Sequence, residues 1–409
     1  MSQENTNTNQ SRVPNHELRQ IRERYERELF QQIIPFWEQF SPDEEAGGYF
    51  TCLDRDGTVF DTDKFTWMQA REVWTFAELA YRYGDRFPEK KSRWIELARL
   101  GAEFLYHHAR TEEGYYFSLD RWGKPLVVPY NLFSDYFVLA AFSSYYRMTG
   151  EEWAKREGIA LFELIQRRKP CPKGRWTKQI PETRSLRAMS FPMMDLWMYQ
   201  VLRNFLPTET LRSLAEEAKR QILNLHIDRK ERVVFERVAP DGSHPDCMEG
   251  RLLNPGHALE TLWFLLLYAR EQGDRETMEQ AAEAMLWTAD RGWDPSHGGF
   301  FYYQDWKGYP PEKLESDMKL WWVHVEALCA FLLAYRYTGN QTFWEWFQRV
   351  DAYTFSHFPD PSYGEWYGYL HRDGSVASPL KGGKWKGFFH IPRALMVCIE
   401  ILQAMEGKR

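Results

Sequence analysis

Apolar residues recur at three- and four-residue intervals in a series of long blocks. WMQAREVWTFAELAYRYG, LFSDYFVLAAFSSYYRMTG, SFPMMDLWMYQVLRNF and LWWVHVEALCAFLLAYRYTGN are examples, and their spacing predicts helices. Many blocks close with Tyr-Arg and then Gly or Thr-Gly, a helix stop. Glycine-rich aromatic stretches lie between them: EEAGGYFTCLDRDGTVFD from Glu44, EEGYYFSLDRWGKPLV from Glu112 and a degenerate KGRWTKQIPET from Lys173. RKERVVFERVAPDGSHPD from Arg229, HGGFFYYQDWKGYPP from His297 and YGEWYGYLHRDGSVAS from Tyr363 continue the series. Several hold an alternating strand, a D-G or D-x-x-G turn and a second short strand, the pattern of a β-hairpin.

The copies recur about every 60 residues, so one supersecondary unit of helix, hairpin-bearing loop and helix is used repeatedly. An open stack of such units would need polar capping repeats at its ends. The last block, IPRALMVCIEILQAM, is as apolar as the internal ones, which favours closure. The expected fold is therefore all-α, an (α/α)6 barrel with short β-hairpins in the connecting loops. Residues 1–16 read as a flexible polar tail and 17–409 as a single catalytic domain. Helices that follow a hairpin would point their N-termini at one mouth of the ring.

Composition narrows the partners. Of 409 residues, 44% are apolar, but no run of 18 or more apolar residues exists to span a membrane. The polar N-terminus lacks a secretory signal, and five scattered cysteines without a C-x-x-C fit reduced thiols, so a cytoplasmic location is expected. A net charge of −6 gives no nucleic-acid surface. The 16% aromatic content, with 18 tryptophans, fits bulky helix contacts or a sugar site, and composition does not separate the two.

Three places carry candidate chemistry. In NPGHALETLWF, Asn254 can cap a helix, Pro255 suits its first position, and His257 shares a face with Glu260. In MKLWWVHVEALCAF, Lys319, Trp322 and Glu326 are expected on one helical face, with His324 turned away. In KGGKWKGFFHIPRAL, a basic glycine-rich loop feeds a helix that begins near His390 and carries Arg393 one turn later. Any one of these taken alone is ordinary, since a histidine or glutamate near a helix start is commonly structural. Three on the same mouth make a pocket. Two histidines could act as base on one side and acid on the other. No metal is expected, because no H-E-x-x-H or facial triad can be assembled. KGGKWKG is not a P-loop, and no G-x-G-x-x-G follows a strand.

NPGHALE, MKLWWVHVEA and KGGKWKGFFHIPR, with GGYFTCLDRDGTVFDTDKFTWMQAREVW and DPSYGEWYGYLHRDGSVA, closely resemble the N-acylglucosamine 2-epimerases. The likeness covers nearly the whole chain apart from the first dozen or so residues and the region around 170–182. It implies the same barrel and interconversion of N-acetylglucosamine with N-acetylmannosamine. It also implies a homodimer, and ATP as an effector that is not consumed. Carried over by position, the family's functional residues fall on Arg71, His257, Glu326 and His390. Glu260, Trp322, Lys319, Trp385 and Arg393 are expected to bind substrate. Lys381, Lys384 and Lys386, with the backbone amides of Gly382 and Gly383, are candidates for nucleotide phosphates. The disaccharide branch of this superfamily has a further histidine where this chain has Met193 and Met194, which counts against that branch.

Epimerisation at C2 requires the open-chain sugar, whose C2 proton is acidic next to the aldehyde. Arg71 would stabilise the enolate at O1. His257 and His390 would face opposite sides of C2, and Glu260 or Glu326 would fix a histidine's tautomer. No nicotinamide is needed. The alternatives are a 2-epimerase of unmodified sugars, an aldose–ketose isomerase, a glycoside hydrolase using Glu260 and Glu326, or a non-catalytic binder.

Overall fold

The computed structural model describes residues 13–178, 180 and 182–407; the first twelve residues of the expected tail lie outside them. Helix α1 (Asn15–Arg27) runs through a π-helical turn (Glu28–Ile33) into α2 (Ile34–Phe40). Then follow α3 (Thr66–Tyr83), α4 (Pro88–Phe104), α5 (Phe133–Thr149), α6 (Glu152–Arg168), α7 (Ser190–Val201) and α8 (Thr208–Gln221). The single turn α9 (Met248–Arg251) precedes α10 (Pro255–Gln272), α11 (Arg275–Gly292), α12 (Trp321–Thr338), α13 (Gln341–His357) and α14 (His390–Met405).

The spread of apolar residues sorts these helices into two layers. On α12 every residue from Trp321 to Tyr335 is buried, and α3 and α10 are nearly as enclosed. On α8 only Leu211, Ala215 and Ala218 are buried, one stripe at helical spacing. A helix apolar all round must be covered on every side, so the enclosed ones form the inner ring. Among the described residues α3, α5, α7, α10, α12 and α14 touch in that order. The ring closes where Arg82 of α3 meets Glu400 of α14 at 2.6 Å and Thr75 donates to the Phe388 carbonyl. The outer ring closes too, since Tyr25 of α1 donates to Asp351 of α13 at 2.8 Å. This is the expected (α/α)6 barrel.

The loops repeat one turn. Gly57, Gly123, Gly242, Gly308 and Gly374 each donate to the carbonyl three residues back, all with φ between 82° and 89°. That left-handed backbone explains the glycine in these five copies. Three loops form hairpins around it: Cys52–Leu53 with Val59–Asp61, Ser118–Leu119 with Pro125–Val127, and Tyr369–Leu370 with Val376–Ser378. Further strand pairs join neighbouring loops: Lys64–Phe65 with Ser118–Leu119, Arg187–Ala188 with Arg237–Val238, Leu252–Leu253 with Gln304–Asp305, and Lys319–Leu320 with Tyr369–Leu370.

Three buried ion clusters tie loops to inner helices. Asp43 accepts from Lys64 at 3.0 Å and Arg121 at 2.9 Å. Asp294 accepts from Lys319 at 3.1 Å and Arg372 at 2.8 Å. Asp360 accepts from Lys381 at 2.9 Å and Arg55 at 2.7 Å. Each aspartate starts a turn closed by one bridge: Pro42 to Tyr49, Trp293 to Phe300 and Pro359 to Trp366. Each lysine precedes an inner helix, α3, α12 or α14. Each arginine comes from the D-G-type turn of the next loop round the ring, and Arg55 on Asp360 joins the first loop to the last. The lysines are 0% exposed, so each needs its aspartate; breaking such a pair typically costs about 3–5 kcal/mol.

Candidate active site

Four inner helices bring their first turns to one mouth. Asn254 caps α10 by accepting the His257 amide at 3.1 Å, and Pro255 occupies the first position, so the local signals set where His257 sits. Gly256 is required there, because a Cβ would lie 2.6 Å from the Trp322 ring. That close approach brings the His257 imidazole to 5.1 Å from the Trp322 ring centroid, with His390 at 5.7 Å from the same indole.

Both histidines are held the same way. His390 Nδ1 lies 2.8 Å from Glu326, and His257 Nδ1 lies 3.0 Å and 3.1 Å from the two oxygens of Glu236. A carboxylate only accepts, so Nδ1 carries the proton in each ring and Nε2 is left for chemistry. Their surroundings differ. Burial, then Arg71 and Arg393, pushes the His390 pKa well below the ordinary imidazole value. Burial also works against a charge on His257, but Glu236 and then Glu260 and Glu326 outweigh it and raise its pKa. The pair is split into a neutral ring and a readily protonated one.

Glu326 is the hub. It accepts from Trp263 Nε1 at 3.0 Å, from His390 and from Arg393 at 2.6 Å, and Arg393 also donates to Glu260. Glu260, Glu326 and His390 present ligand atoms within 4.8 Å of one another, a spacing that could hold a metal ion. The Arg393 guanidinium already bridges both carboxylates and supplies the positive charge there. Arg71, on α3, makes no salt bridge among the described residues: its guanidinium lies 4.0 Å from the Phe137 ring centroid, 5.0 Å from Trp67 and 5.1 Å from Phe389. Burial pulls its pKa down to about 9, so it remains a cation at neutral pH. Its Nε is buried without a partner.

The structure thus brings Arg71, His257, Glu260, Trp322, Glu326, His390 and Arg393 to one mouth. Trp385, half exposed, stands edge-on to Trp67 at 5.0 Å, on the rim outside Arg71. His324 is turned away: its Nδ1 meets the Leu320 carbonyl at 2.7 Å and its Nε2 accepts from Phe300 N–H.

Three expectations are corrected. Lys319 is not on the helical face with Trp322 and Glu326; it lies in the strand ahead of α12, locked onto Asp294, and is no substrate ligand. Lys381 and Lys386 are buried on Asp360 and Glu365, and only Lys384 of that loop is exposed. Gly382 N–H is spent on the Leu53 carbonyl and Gly383 N–H on the Lys386 carbonyl, so neither those amides nor Lys381 and Lys386 are free to meet a nucleotide phosphate. Glu236, finally, was not anticipated as the partner of His257 in place of Glu260. It sits in a hairpin 21 residues earlier, where Met189 N–H holds its carbonyl at 3.0 Å. A glutamate in a polar hairpin reads as solvated, and no local signal marks it.

Fold and site define a helical-barrel enzyme whose mouth gathers two carboxylate-backed imidazoles. The family profile described as N-acylglucosamine 2-epimerase (GlcNAc 2-epimerase) matches residues 48–394, and the chain belongs to that family. It is 39% identical over 394 residues to the N-acylglucosamine 2-epimerase of Bos taurus, covering 94% of this chain and 92% of that protein. The Rattus norvegicus N-acylglucosamine 2-epimerase is 40% identical over 381 residues, 91% of this chain and 90% of that one. Among solved structures, the cellobiose 2-epimerase of Spirochaeta thermophila superposes with a TM-score of 0.80 at 22% identity, covering 95% and 98% of the two chains. That likeness is one of fold.

Proposed function

We propose that this chain interconverts N-acetylglucosamine and N-acetylmannosamine through the enolate of the open-chain sugar, with His390 and His257 as the acid–base pair. The observation that carries the reading is the matched pair itself: two rings, each with Nδ1 tied to a carboxylate and Nε2 unspent, at one tryptophan beside an unpaired arginine. His390, kept neutral, removes the C2 proton; His257, readily charged, delivers a proton to the opposite face. Arg71 stabilises negative charge growing on O1, and having no salt bridge among the described residues leaves it available to do so. The reverse reaction uses the same two groups with roles exchanged.

The hydrolase alternative would use Glu260 and Glu326, but one guanidinium bridges them and neither is free as nucleophile or proton donor. Met193 and Met194 are buried on α7, where the disaccharide branch carries its further histidine. The test is N-acetylmannosamine in heavy water, run beside mannose, cellobiose and fructose. Product N-acetylglucosamine should carry solvent deuterium at C2 from the first turnover. Retention of the original hydrogen at low conversion would remove the two-base mechanism, and turnover confined to the other sugars would remove the substrate.

A further inference from the structure

A third aromatic ring stands against Trp322 besides the two imidazoles. Tyr302 meets the indole edge-on, with ring centroids 6.0 Å apart at 87°, and Tyr303 packs on Tyr302 at 4.0 Å. The backbone N–H groups of both tyrosines donate to the Ser316 carbonyl, at 3.1 Å and 3.0 Å. The strand that follows, Gln304–Asp305, pairs with Leu252–Leu253 just ahead of Asn254. The two tyrosines are therefore fixed between the start of α10, which carries His257, and the start of α12, which carries Trp322. Both are half-buried, so neither is sealed into the core.

The pair has the chemistry of a donor. Burial raises both hydroxyl pKa values, and the carboxylates of Glu236 and Glu315 add to it, so both stay protonated at neutral pH. The two hydroxyls neighbour each other. One shared hydrogen bond uses one of the two protons and leaves the other O–H for a ligand. The surface beside it is aromatic, made by the Tyr302 ring and the Trp322 indole. An apolar wall with one polar tip suits a small planar group with a methyl at one end and a carbonyl oxygen at the other.

On the two-histidine reading C2 lies between the imidazoles, and Trp322 borders both, at 5.1 Å and 5.7 Å. C2 carries its hydrogen, C1, C3 and the acetamido nitrogen. The hydrogen faces a histidine. C1 points to Arg71, whose helix α3 is separated from α12 by α14 in the inner ring. The side of C2 toward Trp322 is left for C3 or for nitrogen. A chain with a hydroxyl on each carbon would leave polar groups unmet along this wall, whereas an acetamido group matches it.

We propose that Trp322 and Tyr302 form the subsite for the 2-acetamido group. The methyl packs on the indole, and the Tyr302 hydroxyl donates to the carbonyl oxygen while accepting from Tyr303. Tyr302 then distinguishes an acetamido sugar from a free one. This deepens the substrate reading above and rests on it.

N-acetylmannosaminitol, the open-chain alcohol, lacks the C1 carbonyl and cannot be enolised, so it binds without reacting. A crystal structure of the full chain with this alditol should place its acetamido oxygen within hydrogen-bond reach of Tyr302 and its methyl on Trp322. An acetamido group bound elsewhere in the mouth overturns the proposal. Tyr302→Phe keeps the ring and removes the donor. It should raise KM for N-acetylmannosamine roughly five- to tenfold, with kcat changed by no more than about twofold. Tyr303→Phe should act in the same direction with a smaller effect. An unchanged KM in folded Tyr302→Phe also overturns the subsite. The two readings fail separately: wild-type turnover of N-acetylmannosamine with the acetamido group away from Tyr302 removes this subsite alone. Wild-type turnover of mannose without any of N-acetylmannosamine removes the substrate reading and the subsite with it.

Discussion

The two sides of the barrel mouth are built differently, and each holds one histidine. His390 stands where the fifth, sixth, first and second loops are joined by buried Asp–Lys–Arg clusters, and three of the helices gathered there, α3, α12 and α14, follow a sealed lysine. His257 stands beside the third and fourth loops, where no such cluster precedes α10 among the described residues. Its loop is tied instead by Arg251 on Asp305 at 2.9 Å and by a surface pair, Lys307 on Asp246. The side with the ion clusters is also the desolvated one: the His390 side chain is 10% exposed and faces two arginines, whereas His257 is 28% exposed and faces Glu236. On the proposed mechanism, two chemically identical side chains divide into base and acid because one scaffold seals the first and leaves the second open to a hairpin-borne carboxylate.

The strongest challenge to that division is to remove each histidine in turn. His257→Ala and His390→Ala should each lower kcat by at least about 10²-fold with the fold intact, since each supplies one proton transfer worth about 10²–10⁴. Either variant keeping a large share of activity would take that ring out of the reaction. Next come the clusters. Lys319→Met leaves Asp294 buried with one partner fewer and should lower unfolding stability by about 3–5 kcal/mol. Lys307→Met, on the other side, breaks a pair whose members are 40% and 63% exposed and should cost no more than about 1 kcal/mol. Equal losses in urea unfolding would mean that the two sides are not differently braced. Arg71→Lys should reduce turnover roughly 10²-fold without a matching stability loss, because an ammonium cannot present the guanidinium's planar fork to a growing oxyanion.

The fold was legible because the hydrophobic period and the loop repeat say the same thing, helix by helix. Asn254, Pro255 and His257 could be placed because capping is local chemistry. The lysines could not be read alone. A lysine in KGGKWKG looks solvated, and what buries Lys381 is an aspartate at position 360 in the preceding turn. The signal lay in the comparison of repeats: Lys64 follows Asp43 by 21 residues and Lys381 follows Asp360 by the same interval, while Lys319 follows Asp294 by 25. Glu236 had no such marker. Its role depends on the third and fourth loops pairing with each other, a tertiary event that a hairpin-by-hairpin reading does not contain.

The smallest effect is the sharpest test of how the pair divides its labour. If the two rings act as proposed, the active state carries one proton shared between them, and kcat/KM should fall at low pH when His390 also charges and at high pH when His257 loses its proton. This holds in both directions of reaction, because exchanging the roles does not change the proton count. Glu236 is the first carboxylate raising the His257 pKa against burial. Glu236→Gln keeps an oxygen to accept the Nδ1 proton, so ring orientation and tautomer survive while the charge is lost. The alkaline limb should move to lower pH, and the acid limb, set by His390 beside Arg71 and Arg393, should stay where it is. At neutral pH the rate loss is then modest, and the displaced limb of the full pH profile carries the information. A shift of the acid limb instead would assign the charged ring to the sealed side of the mouth and reverse the division between the two histidines.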